Sequence, residues 1–287
     1  MPTVEPSEFS AFKNSMIEVP DRPLLSNGDT LEYSFDADIT LVGGFHYGSP
    51  SREVARYALE TFEPTDVVAV ELCEERVLGT PPVEPKESWR SDTLFGNDPK
   101  DIDEAEYYFD LFDSLLGVGY SGGEVDFDYE YDAFDLAIEH AKSECGLALI
   151  DREWSITQYR HIKLTELSTT IDEYQALYAE YPEAMLRLRD VCRPDEQTRN
   201  LIKSQYDDIR NLAPEFFKIL FREREQYMTL SLINLANRDD VDSIIAIVGV
   251  SHLDAIAQYL SNPFQMPEWD FATDPNPDVL YHNHPRQ

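Results

Sequence analysis

Four short apolar runs constrain the fold of this chain more than any other feature. They are rich in β-branched residues, too short for buried helices, and separated by segments in which apolar residues recur with helical spacing. Strands that alternate with helices form parallel sheets through right-handed crossovers. The sequence therefore predicts an α/β fold with a mainly parallel sheet and flanking helices. The predicted strands cover residues 39–43, 66–71, 147–150 and 244–249.

The segment before the first apolar run divides into two parts. Residues 1–30 are rich in proline and serine, which indicates an irregular lead-in to an α/β domain that covers residues 31–262. Residues 31–35 alternate between apolar and polar side chains, a pattern typical of an edge strand. We expect this edge strand to turn directly into the first apolar run.

The second half of the chain contains a long stretch of helical periodicity. We predict a helical insertion over about residues 155–238, which includes one amphipathic helix over residues 215–236. Most charges at the centre of that helix are expected to be solvated. Residues 263–287 are predicted to form a C-terminal tail, in which His282 and His284 offer only adventitious metal binding.

The charge of the chain is extreme. It carries 56 acidic residues against 23 basic ones, which gives a formal net charge of −33. A dispersed acidic surface stays hydrated and screened where salt is molar, because the Debye length there is about 3 Å. The composition therefore indicates a salt-in halophile of haloarchaeal type. The same field repels the phosphates of nucleic acids and anionic membrane surfaces, so neither is an expected partner.

The composition also bears on the cellular compartment. Residues 1–12 lack the basic start and apolar run of a secretion signal, and no apolar stretch has the length of a membrane span. The chain has three cysteines without CxxC spacing, which argues for a reducing compartment and against a structural zinc cluster. We therefore expect a cytoplasmic protein.

The residues that follow the apolar runs are the candidates for a functional site. Gly43 is followed by His46 and Gly249 by His252, so the first and last runs each end in Gly-x-x-His. Glu71 ends the second run. Because parallel strands end at one sheet edge, where ligands bind, the two histidines and the glutamate are expected to converge. A core histidine at a strand exit and a solvated acid are the alternative interpretations.

Several arginines lie close to these strand ends. Arg76 follows Glu71 and is a candidate to pair with it or to hold a substrate carboxylate with its two-pronged guanidinium. Asp151 and Arg152 end the third run and fit a structural ion pair and a pocket role equally well. Arg224 lies at the centre of the long helix, which can enter a cleft where it crosses the sheet edge.

Taken together, these motifs resemble the TraB family, which includes the PrgY pheromone-shutdown proteins and is related to the Tiki proteases. The matching segments occur in the family's order, and they are residues 41–46, 68–76, 150–152, 157–160, 223–225 and 247–252. The resemblance implies a parallel α/β fold shared with erythromycin esterases and the haem-linked ChaN-type lipoproteins. Phe45 departs from the family pattern, in which a small residue precedes the first histidine.

The resemblance also implies a functional site. In the family, two Gly-x-x-His motifs, a glutamate and an arginine have been proposed to form the site of a metal-dependent protease or hydrolase. Carried over residue by residue, the pattern points to His46, Glu71, Arg76, Arg152, Arg224 and His252.

The first functional hypothesis is therefore a metal-dependent, peptidase-like hydrolase. His46, Glu71 and His252 would hold a divalent metal ion, with Glu71 as either the third ligand or the general base. One of the arginines would hold a developing oxyanion or a peptide carboxylate. The sequence has no His-Glu-x-x-His helix, so it is not a zincin. A metal-free variant in which His46 and Glu71 activate water stays open.

The second hypothesis is a regulatory protein without turnover. It would sequester a peptide or another ligand in the same cleft, with histidines and arginines binding an anionic peptide or a haem-like ligand. Under both hypotheses the partner is a peptide or a small molecule, and a homodimer is compatible with the sequence.

The net charge of −33 leads to a first prediction. The melting temperature should rise steadily as potassium chloride increases from about 0.1 to 3 M, because salt screens the self-repulsion of the folded state. Thermal unfolding followed by circular dichroism across the salt series measures this. A flat or falling trend would contradict the halophile interpretation.

Overall fold

A mixed six-stranded sheet lies at the centre of the fold, with helices on both faces. The structure is a computed structural model. It describes residues 16–19, 22–26, 32–44, 49–62, 65–73, 133–153, 156–157, 160, 196–267 and 280–282. All structural statements below concern these residues.

The strands form two sheets. In chain order they are β1 (Met16–Val19), β2 (Arg22–Ser26), β3 (Glu32–Phe35), β4 (Asp38–Gly44), β5 (Val67–Val70), β6 (Gly146–Leu149), β7 (Ser243–Gly249) and β8 (Leu280–His282). The main sheet has the order β1-β4-β7-β5-β6-β8, and β2 pairs with β3 in a separate sheet. The four inner strands are parallel, whereas β1 and β8 are antiparallel edge strands.

The helical elements lie between the strands. They are α1 (Ser49–Thr61), α2 (Ala133–Glu144), α3 (Glu196–Leu212), α4 (Pro214–Phe217), a π-helical turn (Lys218–Arg222), α5 (Glu223–Ala236), α6 (Val250–Ser261) and a short 3₁₀ helix (Pro263–Gln265). α4, the π-helical turn and α5 follow one another without a break. Pro214 starts this unit at the first helical turn, where its missing N–H costs no hydrogen bond.

The inner strands are apolar because both of their faces are covered by helices. Along β7, Ile244, Ala246 and Val248 belong to the core shared with α5 and α6. The alternate residues Ile245 and Ile247 belong to the core shared with α1 and α2. Side chains of successive strand residues point to opposite faces, so a strand buried on both faces reads as an unbroken apolar run.

The predicted architecture is confirmed in its main features. The four strands expected from the apolar runs are β4, β5, β6 and β7, and they lie parallel in one sheet with flanking helices. α3 to α5 lie within the predicted helical insertion.

The predicted edge strand over residues 31–35 is placed wrongly. β3 covers Glu32–Phe35, but it pairs with β2 in the second sheet. The strand beside β4 is β1, which lies in the lead-in expected to be irregular. An uncovered β4 edge would leave backbone N–H and C=O groups unpaired, and β1 pairs them. Alternation identifies a strand, but it does not identify the partner of that strand.

The predicted tail also contributes to the sheet. β8 (Leu280–His282) covers the opposite edge by pairing antiparallel with β6, with Leu149 opposite Leu280. His284 lies outside the described residues. Among the helices of the described ranges, none combines the length and apolar character that a membrane crossing requires.

Two leucine substitutions test the assignment of the core. Leu232→Ala in α5 should lower the free energy of unfolding by about 2–5 kcal/mol, because Leu232 is 0% exposed and the cavity cannot collapse fully. Leu212→Ala removes the same atoms from a side chain in α3 that is 37% exposed, and it should change the free energy of unfolding by only about 0.5 kcal/mol. Denaturant unfolding in molar salt measures both, and equal losses would contradict this packing.

Candidate functional site

The C-terminal ends of the parallel strands meet at one edge of the sheet. β4 and β7 end at Gly44 and Gly249, which are partners in the parallel register. In β5, Val70 is the partner of Ile247, and the next residue, Glu71, donates its backbone N–H to the Ile247 carbonyl at 3.0 Å. The register thus brings Glu71 beside the end of β7, where the second Gly-x-x-His motif begins.

Glu71 is held from two sides. Its side chain is buried, and its Oε2 accepts a hydrogen bond from the backbone N–H of Gly249 at 2.5 Å. Its Oε1 accepts a hydrogen bond from Nη2 of Arg224 at 2.6 Å. The carboxylate is therefore fixed in position by the end of β7 and by α5.

Arg224 joins the ends of two neighbouring strands. Besides Glu71, it binds Asp151, which follows β6, through Nε at 3.0 Å and Nη2 at 2.7 Å. Burial alone would lower the pKa of the guanidinium, but the charges of Asp151 and Glu71 outweigh burial and raise this pKa above its ordinary value. Arg224 therefore stays charged, and its charge offsets the two buried carboxylates.

A π-helical turn places these charges inside the protein. The π-helical turn provides carbonyl acceptors: Leu220 accepts a hydrogen bond from Nη1 of Arg224 at 3.3 Å, and Ile219 accepts one from Nη2 of Arg152 at 3.0 Å. The next three residues, Glu223, Arg224 and Glu225, are all buried. The expectation of solvation is wrong for Glu225, whereas Glu223 and Arg224 are the two charges for which the sequence suggests entry into a cleft. A π turn holds more residues than an α turn, so it changes which face of the following helix points inward.

His252 lies at the same edge, in the first turn of α6. Its ring is buried, and its Nδ1 lies 3.0 Å from Oε1 of Glu225. Its Nε2 lies 3.5 Å from Oε1 of Glu71. The ring of Phe221 packs against the imidazole with a centroid distance of 5.6 Å. Glu225 also accepts a short hydrogen bond from the hydroxyl of Tyr206 on α3.

The hydroxyl of Tyr206 and Nδ1 of His252 both face the carboxylate of Glu225, which in its ionised form can only accept hydrogen bonds. The pKa of Tyr206 is raised by burial and by the negative charge of Glu225, so Tyr206 keeps its proton and acts as the donor.

A second buried cluster lies beside the first. Glu223 accepts hydrogen bonds from Nη1 of Arg152 at 2.9 Å and from Nε and Nη2 of Arg160 at 2.6 and 2.8 Å. Burial would raise the pKa of Glu223, but the arginine hydrogen bonds and charges outweigh burial and lower it. Arg152 also donates from Nε to Thr157 at 3.1 Å. The cluster fastens the segment after β6 to α5.

The structure places the predicted site residues in different surroundings. The structure brings Glu71, Arg224 and His252 together. Arg152 lies in the neighbouring cluster, with its guanidinium directed at Thr157, Glu223 and Ile219. His46 and Arg76 lie outside the described residues.

Two important residues were missed by sequence reasoning. Glu225 follows Arg224 directly, and its burial could have been suspected only from the resemblance to the TraB motif. Tyr206 carries no signal, since its surroundings read as an ordinary amphipathic helix. Only the packing of α3 against α5 and α6 brings its hydroxyl to Glu225.

The donors at this edge fit a metal ion in part. Two ligands that each lie roughly 2.0–2.2 Å from one ion can be at most about 4.4 Å apart. Nε2 of His252 and Oε1 of Glu71 satisfy this limit. Within the described ranges, no three side chains of histidine, cysteine, aspartate or glutamate form a metal-binding group. His46, the third ligand that the sequence predicts, lies outside the described residues.

A substitution of Arg224 tests the buried network. Arg224→Met should lower the free energy of unfolding by about 3–5 kcal/mol, because it leaves Glu71 and Asp151 buried without their cation. The control is Arg210→Met, which breaks a 2.7 Å ion pair with Asp207 that is about half exposed and should cost at most about 1 kcal/mol. Equilibrium denaturation measures both. Similar losses of unfolding free energy in the two variants would show that the buried ion pairs stabilise the fold no more than the exposed pair does.

Comparison with known proteins adds one distant relative. No protein-family model matches the chain. The uncharacterized protein MJ1365 of Methanocaldococcus jannaschii is 24% identical over 239 residues. The alignment covers 78% of this chain and 54% of MJ1365, so the chain spans about half the length of the curated relative that it matches. That protein is itself uncharacterized, so the similarity transfers no activity to this chain.

Proposed function

We propose that this chain is a metal-dependent hydrolase of peptide-like substrates, with a site of the TraB type. One observation carries the proposal. Nε2 of His252 and Oε1 of Glu71 lie 3.5 Å apart at the C-terminal edge of the parallel sheet, which is within the separation of two ligands of one ion.

The charge of the buried network supports the proposal. Among the described residues, the two neighbouring clusters contain four buried carboxylates and three buried guanidiniums. The carboxylates belong to Glu71, Asp151, Glu223 and Glu225, and the guanidiniums to Arg152, Arg160 and Arg224. A cation bound at Glu71 would lie close to other buried carboxylates, whose negative charge favours it.

Each residue then has a defined role. Glu71 and His252, together with His46, would hold a divalent ion; such an ion makes bound water acidic and polarises a carbonyl group. Glu71 accepts the proton from the attacking water if it acts as the base rather than as a ligand. Arg224 and the Gly249 N–H orient the Glu71 carboxylate. Both positioning groups are rigid, since they belong to a buried helix and to the end of β7.

A cytoplasmic location belongs to the same proposal. It rests on the three cysteines, which lack the spacing of a disulfide framework or a zinc site. We propose a peptide or a small peptide-like molecule as the substrate.

A specific observation favours a second candidate function. Both oxygens of Glu71 are already hydrogen-bonded, Oε1 to Arg224 and Oε2 to Gly249. A carboxylate held in this way suits a ligand-binding site as well as a base. A protein that sequesters a peptide or a small molecule would use the same residues without turnover.

The test combines metal analysis with a substrate screen. The protein is purified in about 3 M potassium chloride, its bound metals are measured by mass spectrometry, and its activity is assayed on fluorogenic peptides and aryl esters. We expect bound divalent metal and hydrolysis, and we expect Glu71→Gln to lower kcat/KM by about 10²- to 10⁴-fold. Glu60→Gln, at an exposed glutamate of α1, is the control and should leave the activity unchanged.

Each other outcome is equally informative. Metal binding or ligand binding without turnover would favour the sequestering protein. Turnover that persists after exhaustive chelation would favour the metal-free esterase chemistry. A protein with neither metal nor activity would contradict the proposal.

A further inference from the structure

Three helices converge on one carboxylate oxygen next to the proposed site. Oε1 of Glu225 on α5 accepts hydrogen bonds from the hydroxyl of Tyr206 on α3 and from Nδ1 of His252 on α6. We infer that Glu225 and Tyr206 are positioning residues that hold the His252 imidazole with its proton on Nδ1 and present Nε2 to Glu71. This inference extends the proposed function, and it rests on that proposal for the role of Nε2 as a metal ligand.

The hydrogen-bond chemistry allows only one arrangement of protons around an ionised Glu225. The carboxylate donates nothing, so both the tyrosine hydroxyl and Nδ1 must donate to it. A histidine that serves as a ligand or a base commonly donates its other ring N–H to a carboxylate in this way. The partner carboxylate determines which ring nitrogen is left with a lone pair.

The surrounding rings keep this arrangement rigid. Tyr206 packs edge-on against Phe217 and Phe221, with centroid distances of 4.5 and 5.1 Å. Phe221 also packs against the His252 ring at 5.6 Å. Phe221 and Glu225 lie four residues apart and contact His252 with an apolar ring and with a carboxylate. The imidazole therefore has little freedom to flip or rotate.

The backbone attaches Glu225 to the same framework. The Thr229 hydroxyl donates to the Glu225 carbonyl at 2.7 Å, and Thr229 is fully buried. The π-helical turn directly before α5 contains Phe221, so the ring and the carboxylate enter the site from consecutive turns. Tyr206 belongs to a separate helix, and its hydroxyl therefore joins α3 to the site.

The experiment reads the protonation of His252 directly. The full chain is labelled with ¹⁵N-histidine, treated with EDTA, and observed by long-range ¹H–¹⁵N NMR in molar potassium chloride at pH 8. Loss of one set of signals in His252→Gln assigns the ring. We expect the wild-type protein to carry the His252 proton on Nδ1.

Glu225→Leu should release the proton from Nδ1. The variant has no oxygen that could accept a hydrogen bond from Nδ1–H, so the population with the proton on Nε2 should rise. A wild-type proton on Nε2, a doubly protonated ring, or an unchanged pattern in Glu225→Leu would each overturn the inference. The wild-type spectrum by itself shows which ring nitrogen carries the His252 proton, so the inference can be tested even if the variant fails to fold.

Tyr206→Phe tests the second positioning residue. The Nδ1–H proton of His252 should exchange with water about fivefold faster, which is the factor that corresponds to about 1 kcal/mol for one lost hydrogen bond. Tyr57→Phe is the matched control, because it removes the hydroxyl of a half-buried tyrosine on α1, which packs in the core on the other face of the sheet and leaves the Tyr206–Glu225 hydrogen bond in place. Equal exchange rates in the wild type and in Tyr206→Phe would exclude a positioning role for Tyr206.

Zinc chloride separates this inference from the proposed function. If Nε2 binds metal, adding zinc to the EDTA-treated wild type should shift the Nε2 resonance, and Glu225→Leu should weaken zinc binding by about 10- to 100-fold. If zinc leaves the resonance unchanged, the metal proposal fails. The proton position without zinc still decides whether Glu225 and Tyr206 orient the ring.

Discussion

The buried guanidinium of Arg224 is the interaction on which the rest of the site depends. It lies between Glu71 after β5 and Asp151 after β6, so a single cation joins the ends of two neighbouring strands. Buried carboxylates without such a partner are strongly unfavourable in their charged form. The π-helical turn supplies the Leu220 carbonyl that completes the coordination of the guanidinium. The docking of α5 against the sheet edge and the charge on Glu71 therefore stabilise each other.

The interior and the surface of this chain use charge in opposite ways. The chain carries a net charge of −33, but the buried acids Glu71, Asp151 and Glu223 are paired with arginines in close contact. Salt screens exposed charges at a distance and affects buried pairs much less. High salt therefore acts on the repulsion between surface acids, while the site retains its internal pairs. A protein with this composition can keep a finely arranged ionic site in a medium that weakens surface ion pairs.

The sequence was sufficient to identify the four parallel strands and the residues at their ends. Strands buried on both faces appear as short apolar runs, because the helices that cover them leave no polar face. Glu71 and His252 could be chosen as site residues for the same reason, since polar groups directly after such runs must lie at the sheet edge. The partners of the edge strands could not be predicted, because β1, β3 and β8 have the same local pattern whichever strand they pair with.

What the sequence by itself determined is thus the set of elements and the chemistry at their ends. The tertiary structure alone decided which distant groups meet: Arg224 with Glu71, Glu225 with His252, and Tyr206 with Glu225. Periodicity describes one element at a time and contains no information on how two elements are rotated against each other. The π-helical turn also changes which face of α5 points inward. Periodicity does not reveal this change, so the sequence pattern alone predicts solvent exposure for charges that are buried. The surroundings of the His252 ring are decided at this same level, because they depend on contacts among three helices.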